Sequence, residues 1–345
     1  MIKNATSDVV LCAILILIFL SLFGYLSVNI TIVHMNSSIC VLAGGVGAAR
    51  FLQGLVNVTE QKKITVISNV GDDVDLYGLR VCPDIDIVIY TLAGLINSKV
   101  GWGLLDDSFT VLKALKNFGY DDWFNLGDQD LATSIHRTRL LREGVPLHEV
   151  TGQLARSFSL DLNILPVTNT QMATRIETEE GLLPFQDYMV RLRGAPRVTG
   201  VHFSQSENAL PAPGVLEAIA EASIIVIAPS NPFLSIDPIL SISGVRAALE
   251  ASKAPRVAIS PIVEGSAIKG PAARMLESLG HEVSAVGVAR IYADLVDWFF
   301  LDELDRDLEQ SIKSLGLNTR VTNTIMNSDS KKRSLASEVL KVAGL

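Results

Sequence analysis

Residues Ile39–Leu55 read ICVLAGGVGAARFLQGL. A short apolar run gives way at Gly44 to a glycine-rich turn, and the residues after it take up helical spacing, the signature of a buried strand feeding a helix. Glycines at 44, 45 and 47 leave room for backbone N–H groups to approach a phosphate, and a helix N-terminus adds partial positive charge there. The passage is not a Walker A loop, because no Gly-Lys-Ser/Thr follows, and Arg50 stands where a dinucleotide fingerprint places its third small residue. A tight strand-to-helix turn that binds nothing would use the same glycines, so the neighbouring loops carry the decision.

Working outward, β-branched runs at Ile64–Ser68, Ile224–Ala228, Arg256–Ser260 and Glu282–Val286 alternate with amphipathic stretches. That alternation predicts an α/β fold, a Rossmann-like three-layer αβα arrangement with a mainly parallel sheet. The first four strands end in AGGVG, NVGDD, PSNP and SPIVEG, and ligands of open α/β sheets sit outside the carboxyl ends of the strands. Four such loops point to one crevice. The pattern changes over about 102–203, where helices are expected at Asp107–Asn117, Leu131–Glu143 and Leu147–Ser157 and a β-like stretch at Met172–Arg193, read together as an inserted helical and β subdomain. The body is expected to span 35–320, and 321–345, with its SDSKKRS string, reads as a solvated tail or frayed helix.

Composition narrows the function. With 37 acidic against 29 basic residues in 345, the formal charge is −8, which argues against a broad electrostatic grip on nucleic acid. Cys12, Cys40 and Cys82 show neither pairing nor zinc spacing, which points to a reducing, cytoplasmic setting. Val9–Val33 contains no charged residue and is long enough to cross a bilayer. Residues 1–34 are therefore a membrane tether, a signal, or sequence upstream of a start at Met35; a lone Lys3 ahead of Asp8 disfavours the signal.

The second loop carries Asn69, Asp72 and Asp73, and Asp84 and Asp86 follow in PDIDI. Clustered carboxylates at strand ends suit magnesium, which takes oxygen ligands and keeps substrate phosphates in its shell. An Asx turn or a helix cap accounts for one or two of them. In WFNLGDQDLATSIHRT, Asp128 and Asp130 precede a helix that carries Arg137; one of the two suits a cap, and Arg137 suits either those carboxylates or a phosphate. The later loops offer Ser230, Asn231, Ser235, Ser260 and Lys269, small donors and one cation of the kind that holds a nucleotide. No GxSxG elbow and no HExxH motif is present.

Taken in order, LAGGVGAARFL, NVGDD, YGLRVCPDID, YTLAGLIN, WGLLDDSF, WFNLGDQDLAT, LPVTN, FQDYMVR, APSNPFLSIDPIL and SPIVEGSAIKGPAARM resemble the 2-phospho-L-lactate transferases of deazaflavin coenzyme F-420 biosynthesis, with their phosphoenolpyruvate-using bacterial counterparts. The resemblance covers about Ile39 to Asp305. It implies a domain that binds a guanosine diphospho-adduct of lactate or enolpyruvate together with Fo, a riboflavin-like 5-deazaflavin. The ribityl hydroxyl of Fo would attack the phosphorus nearest the small acid, GMP would leave, magnesium would assist, and the protein would be a homodimer. Carried over, Gly44, Gly45 and Gly47 would line the phosphate loop, and Asp72, Asp73 and Asp86 would hold metal or orient the hydroxyl, Asp72 or Asp86 taking its proton. Ser230, Asn231 and Ser260 would lie on the guanosine side, with Asn69, Asp128, Asp130, Arg137 and Lys269 as further binding residues. The chain departs from the family pattern at Ile87, Gln129, Ser134, Asn169 and Glu264, and these positions bear on which substrate it takes. The competing expectation is a regulatory nucleotide-sugar-binding protein resembling the gluconeogenesis-factor proteins, which share the fold.

Overall fold

Ile39–Ala43 forms β1, and all five of its residues are buried, because a strand apolar on both faces needs cover on both. In the computed structural model, which describes residues 37–97, 101–267 and 270–345, β1 runs into α1 (Gly45–Leu55) and on to β2 (Ile64–Ser68). A small hairpin of β3 (Val74–Leu76) and β4 (Leu79–Val81) then leads into α2 (Pro83–Leu92). The helices α3 (Thr110–Lys116), α4 (Asp128–Arg142) and α5 (Leu147–Ser157) precede β5 (Asn163–Pro166), and β6 (Ala173–Thr178), β7 (Gly181–Pro184) and β8 (Val198–Ser204) form a separate antiparallel sheet. The second half runs through α6 (Val215–Ala220), β9 (Ile224–Ile227), α7 (Val245–Ala251), β10 (Arg256–Ile259), the hairpin β11 (Ile262–Val263) and β12 (Ser266–Ala267), α8 (Ala272–Ser278), α9 (Ala285–Tyr292), β13 (Trp298–Asp302), β14 (Asn318–Thr322) and α10 (Asp329–Leu340).

The main sheet has seven strands in the order β14-β13-β10-β9-β1-β2-β5, every neighbouring pair parallel, with helices flanking it in the three-layer arrangement expected. From β1 the chain winds outward through β2 and β5, then returns to lay β9 on the other side of β1. The loops after β1 and β9 therefore diverge, and the crevice between them is where a ligand is received.

Four strands lie where the sequence puts them; the fifth does not. Glu282–Val286 is the turn into α9 and the helix's first two residues, where Ser284 Oγ accepts a hydrogen bond from Gly287 N at 3.1 Å. A Cβ on Gly287 would lie 1.9 Å from the Glu282 carbonyl oxygen, so that turn is tighter than a strand. The stretch 102–203 is not one insertion, because β5 lies within it and pairs with β2 in the main sheet. Nor is 321–345 a tail. The end of β14 falls inside it, and α10 buries Leu335, Ala336, Val339 and Leu340 while packing on α1, where a Cβ on Gly54 would lie 2.2 Å from the Lys332 carbonyl oxygen. The tether at 9–33 lies outside the described residues; among the described residues no helix is long and apolar enough to cross a membrane.

The turn between β11 and β12 explains one departure. Glu264 and Gly265 both have positive φ, 48° and 67°, as a two-residue hairpin turn of the primed type requires. A side chain at the first of these positions is strained, by roughly 1–2 kcal/mol. Glu264→Gly keeps the backbone hydrogen bond from residue 264 N to Asp305, 3.0 Å long, and is expected to raise stability in urea unfolding by about 1 kcal/mol; an unchanged midpoint would show that the unfolded-chain entropy gained with glycine cancels the strain relieved.

Candidate active site

Two cavities adjoin at the crevice, of about 220 Å³ and about 480 Å³, and both are lined by Gly45, Val46, Asp84 and Met189. The smaller lies over the turn from β1 into α1. A Cβ on Gly47 would lie 2.0 Å from the Pro229 carbonyl oxygen, and one on Gly44 would lie 2.7 Å from both Asp84 Oδ2 and Ser235 Cβ. The glycines thus bring the N-terminus of α1 against the loop after β9, whose Ser230 Oγ donates to the Gly44 carbonyl oxygen at 2.8 Å. Gly44, at the N-cap of α1, has no side chain to cap it, and with the Gly45 amide taken by Asp84 the amides that follow in the first turn are left for an anion. Arg50, half-buried on α1, also lines this cavity.

Asn69, at the end of β2, is fully buried and organises the floor. Its Oδ1 accepts from Gly71 N at 2.7 Å, which fixes the amide so that Nδ2 donates to Asp72 Oδ1 at 3.1 Å and to Asp84 Oδ2 at 2.9 Å. Asp84 Oδ1 in turn accepts from Gly45 N at 2.8 Å. Burial raises the Asp72 pKa well above the carboxylate range, and the charge of Asp84 adds to that while Asn69 opposes it. Burial likewise pushes Asp84 up to about 6, against the pull of Asn69 and of Gly45 N–H. Two like charges bridged by one amide call for a proton or a cation between them.

The larger cavity is walled by Ile87, Trp102, Phe124, Leu126 and Val190 and has a polar end at Asp86, Tyr90 and Asp130. Asp86 is ion-paired with Arg137, which is wholly buried and also donates from Nη1 to the Arg80 carbonyl oxygen at 3.2 Å. Burial works against the charge on Arg137, but the Asp86 carboxylate beside it prevails and raises its pKa. Burial pushes Asp130 up to about 7, with the charge of Asp86 adding to the effect.

Residues 39–339 match the family model described as 2-phospho-L-lactate transferase CofD. The phosphoenolpyruvate transferase of Streptomyces griseus is 40% identical over 311 residues, 88% of this chain and 98% of that one. The 2-phospho-L-lactate transferase of Methanosarcina mazei is 37% identical over 301 residues, covering 87% and 99%. The chain belongs to the 2-phospho-L-lactate transferase CofD family. A solved structure of a UPF0052-family protein from Bacillus halodurans, 18% identical with a TM-score of 0.59 over 88% of this chain and 98% of that one, shares the fold.

Within this CofD-family site, Gly44, Gly45, Gly47, Ser230 and Asn231 line the smaller cavity with Asp72, and Asn69 ties Asp72 to Asp84 beneath it. The expected metal trio does not assemble. Asp73 Oδ2 accepts the Cys82 thiol at 3.1 Å, and Asp86 is committed to Arg137. Asp84 and Asp86 are two positions apart on a helix, about 200° around its axis, so they face different partners. Asp84, which lines both cavities, is the residue that the sequence reading left unsingled in its acidic cluster; its place directly after Pro83 at the first turn of α2 is the signal that separates it from Asp86. Arg50 is the second residue missed, its signal being a cation one helical turn into a glycine-opened helix.

Asp128 is a cap. Its carboxylate accepts from Thr110 N and Val111 N at 3.1 and 3.0 Å at the start of α3, while Asp107 does the same for Gln129 N at 2.9 Å at the start of α4. Ser260 lies outside both cavities and closes a turn, accepting from Ile262 N at 3.2 Å and donating to the Ile262 carbonyl oxygen at 2.8 Å. Lys269 lies outside the described residues. Of the departures, Ile87 alone lines a cavity; Asn169 Oδ1 accepts from His148 N at 2.9 Å near the start of α5, Gln129 is exposed, and Ser134 is buried.

Proposed function

We propose that the chain moves a phospholactyl or phosphoenolpyruvyl group from a guanosine diphospho-adduct to the ribityl hydroxyl of Fo and releases GMP. The observation that carries the reading is the pair of cavities meeting at Gly45 and Asp84, one built for phosphate and the other for a flat apolar body. The donor's phosphates lie over the first turn of α1, beside Arg50. The acceptor's ring lies between the aromatic walls of the larger cavity, whose volume is in the range of small-molecule sites, and its hydroxyl reaches across the seam. A hydroxyl oxygen–phosphorus bond forms, the bond from that phosphorus to the bridging oxygen breaks, and the oxygen leaves on GMP. The hydroxyl's proton passes late to Asp84, the carboxylate present at the seam. Phosphoryl transfer asks chiefly for positioning and charge neutralisation, and the Asn69-centred network supplies the positioning.

Asp72 fits magnesium: a buried carboxylate in the wall of the smaller cavity, raised in pKa by burial and by the charge of Asp84, matches an ion held by one or two carboxylates with substrate phosphates completing its shell, and leaves Asp84 to take the proton. Magnesium bound there supplies the charge neutralisation of the diphosphate. The protein is expected to melt several degrees higher in millimolar magnesium at pH 7, an increment absent from Asp72→Asn; equal increments in both proteins would remove Asp72 from the metal site. The regulatory alternative is not favoured, since the relatives covering nearly the whole chain are named as transferases. The reaction is tested by mass-spectrometric detection of GMP and the phosphodiester after mixing the protein with Fo, magnesium and each guanosine adduct. Guanine-nucleotide binding without product from any donor would overturn it.

A further inference from the structure

Buried polar side-chain atoms without a partner are unevenly placed. Of the seven found among the described residues, four (Asp73 Oδ1, Tyr90 Oη, Ser134 Oγ and Arg137 Nε) belong to residues on or beside the helix pair α2 and α4, and one of these, Tyr90, is in the wall of the larger cavity. Buried polar groups are nearly always satisfied, so an orphan in a cavity wall marks where a bound molecule or water completes the set. Tyr90 is 1% exposed, lines the cavity and stands next to the Asp130 carboxyl. Asp130 is less deeply buried than Tyr90. Asp86, the third polar group there, already faces Arg137, so Asp130 is the acceptor left for a ligand.

We propose that Asp130, with Tyr90 behind it, is the specificity-determining residue for the acceptor: it accepts a hydrogen bond from an N–H or O–H on the edge of a planar heteroaromatic ring lying between the apolar walls. The proposal rests on the transferase reading and names the chemistry its acceptor must carry. The walls Ile87, Trp102, Phe124 and Leu126 hold a flat apolar face, whereas the far end offers carboxylates, and among the described residues no cation lines the cavity. A ring whose edge carries only acceptors would face Asp130 and leave it unpaired, a mismatch that costs far more than a missing methylene. Discrimination here is therefore by hydrogen bond, and Asp130 is placed away from the seam where the phosphorus reacts.

The experiment measures equilibrium binding of Fo by its fluorescence, together with KM and kcat, in the full chain and in Asp130→Asn and Tyr90→Phe. Asp130→Asn is expected to weaken Fo binding and raise its KM tenfold or more, the effect of losing a hydrogen bond to a charged group, while the KM of the guanosine adduct stays within twofold and kcat falls less than KM rises. Tyr90→Phe should give a smaller change of the same kind. An Fo analogue methylated at the ring N–H should bind the wild type as weakly as Fo binds Asp130→Asn, with little further loss in the variant, the coupling expected of direct partners. Wild-type affinity for Fo in folded Asp130→Asn, or a change confined to the donor, would overturn the proposal. Absence of turnover from a wild type that still binds Fo would count against the transferase reading alone, and the binding comparison would decide the role of Asp130.

Discussion

Asp84→Asn is expected to lower kcat by a factor of about 10²–10⁴, the range for removing a positioned acid–base group, with the fold retained. The side chain keeps its size, and an amide oxygen can still accept from Gly45 N, which Asp84 Oδ1 now does at 2.8 Å. What is lost is the charge at the one acidic position that lines both cavities, together with the bond that Asp84 Oδ2 accepts from Asn69 Nδ2 at 2.9 Å. Asp86→Asn should behave in the opposite way, lowering stability more than turnover, because its carboxylate serves Arg137. Circular dichroism and steady-state kinetics on the two variants separate the roles; wild-type kcat in Asp84→Asn would move the chemistry elsewhere in the acidic cluster.

Arg137→Met is expected to destabilise the protein by about 3–5 kcal/mol, the cost of leaving one member of a buried ion pair unpaired. Asp86 is then a buried carboxylate with no counter-charge. Burial already raises its pKa, and the guanidinium is the group that opposes this. In the variant the folded-state pKa lies further above the unfolded value, so the folded protein holds a proton that the unfolded chain releases. The contribution of Asp86 to stability is therefore full below the unfolded carboxylate pKa and is lost as pH rises through the folded one. The difference between wild type and variant should be small near pH 4 and largest at neutral pH, and Asp86→Leu added to Arg137→Met should restore much of the loss. A penalty independent of pH would mean that Arg137 contributes by packing alone.

The extent to which the sequence revealed the molecule follows its chemistry. Strands β1, β2, β9 and β10 were legible because a centre-sheet parallel strand is apolar on both faces and reads as a continuous run. Strands β5, β13 and β14 were not: NILP ends in proline, WFFLD is aromatic where the others are β-branched, and NTRVT is a polar edge. The glycines of the turn from β1 into α1 were legible for the same steric reason that the structure shows, since no side chain fits at Gly44 or Gly47. Carboxylates were harder to place, because an aspartate string does not say which way each one points. Asp128 looks like a ligand in the sequence and is a cap, while Asp84 and Asp86 look like one cluster and face different partners.

The pairing of β1 with β9 sets the order in which the protein can become competent. Ile39 lies opposite Ile224, so at about 5–20 residues per second of synthesis the glycine turn after β1 waits on the order of ten seconds or more for its second wall. During that interval one edge of β1, a strand buried along its whole length in the finished sheet, is open to any other strand that reaches it. A chain stalled or cleaved before Pro229 would hold the glycine motif intact and have no crevice, so fragments that carry the most recognisable part of the sequence are expected to be inactive and prone to aggregate.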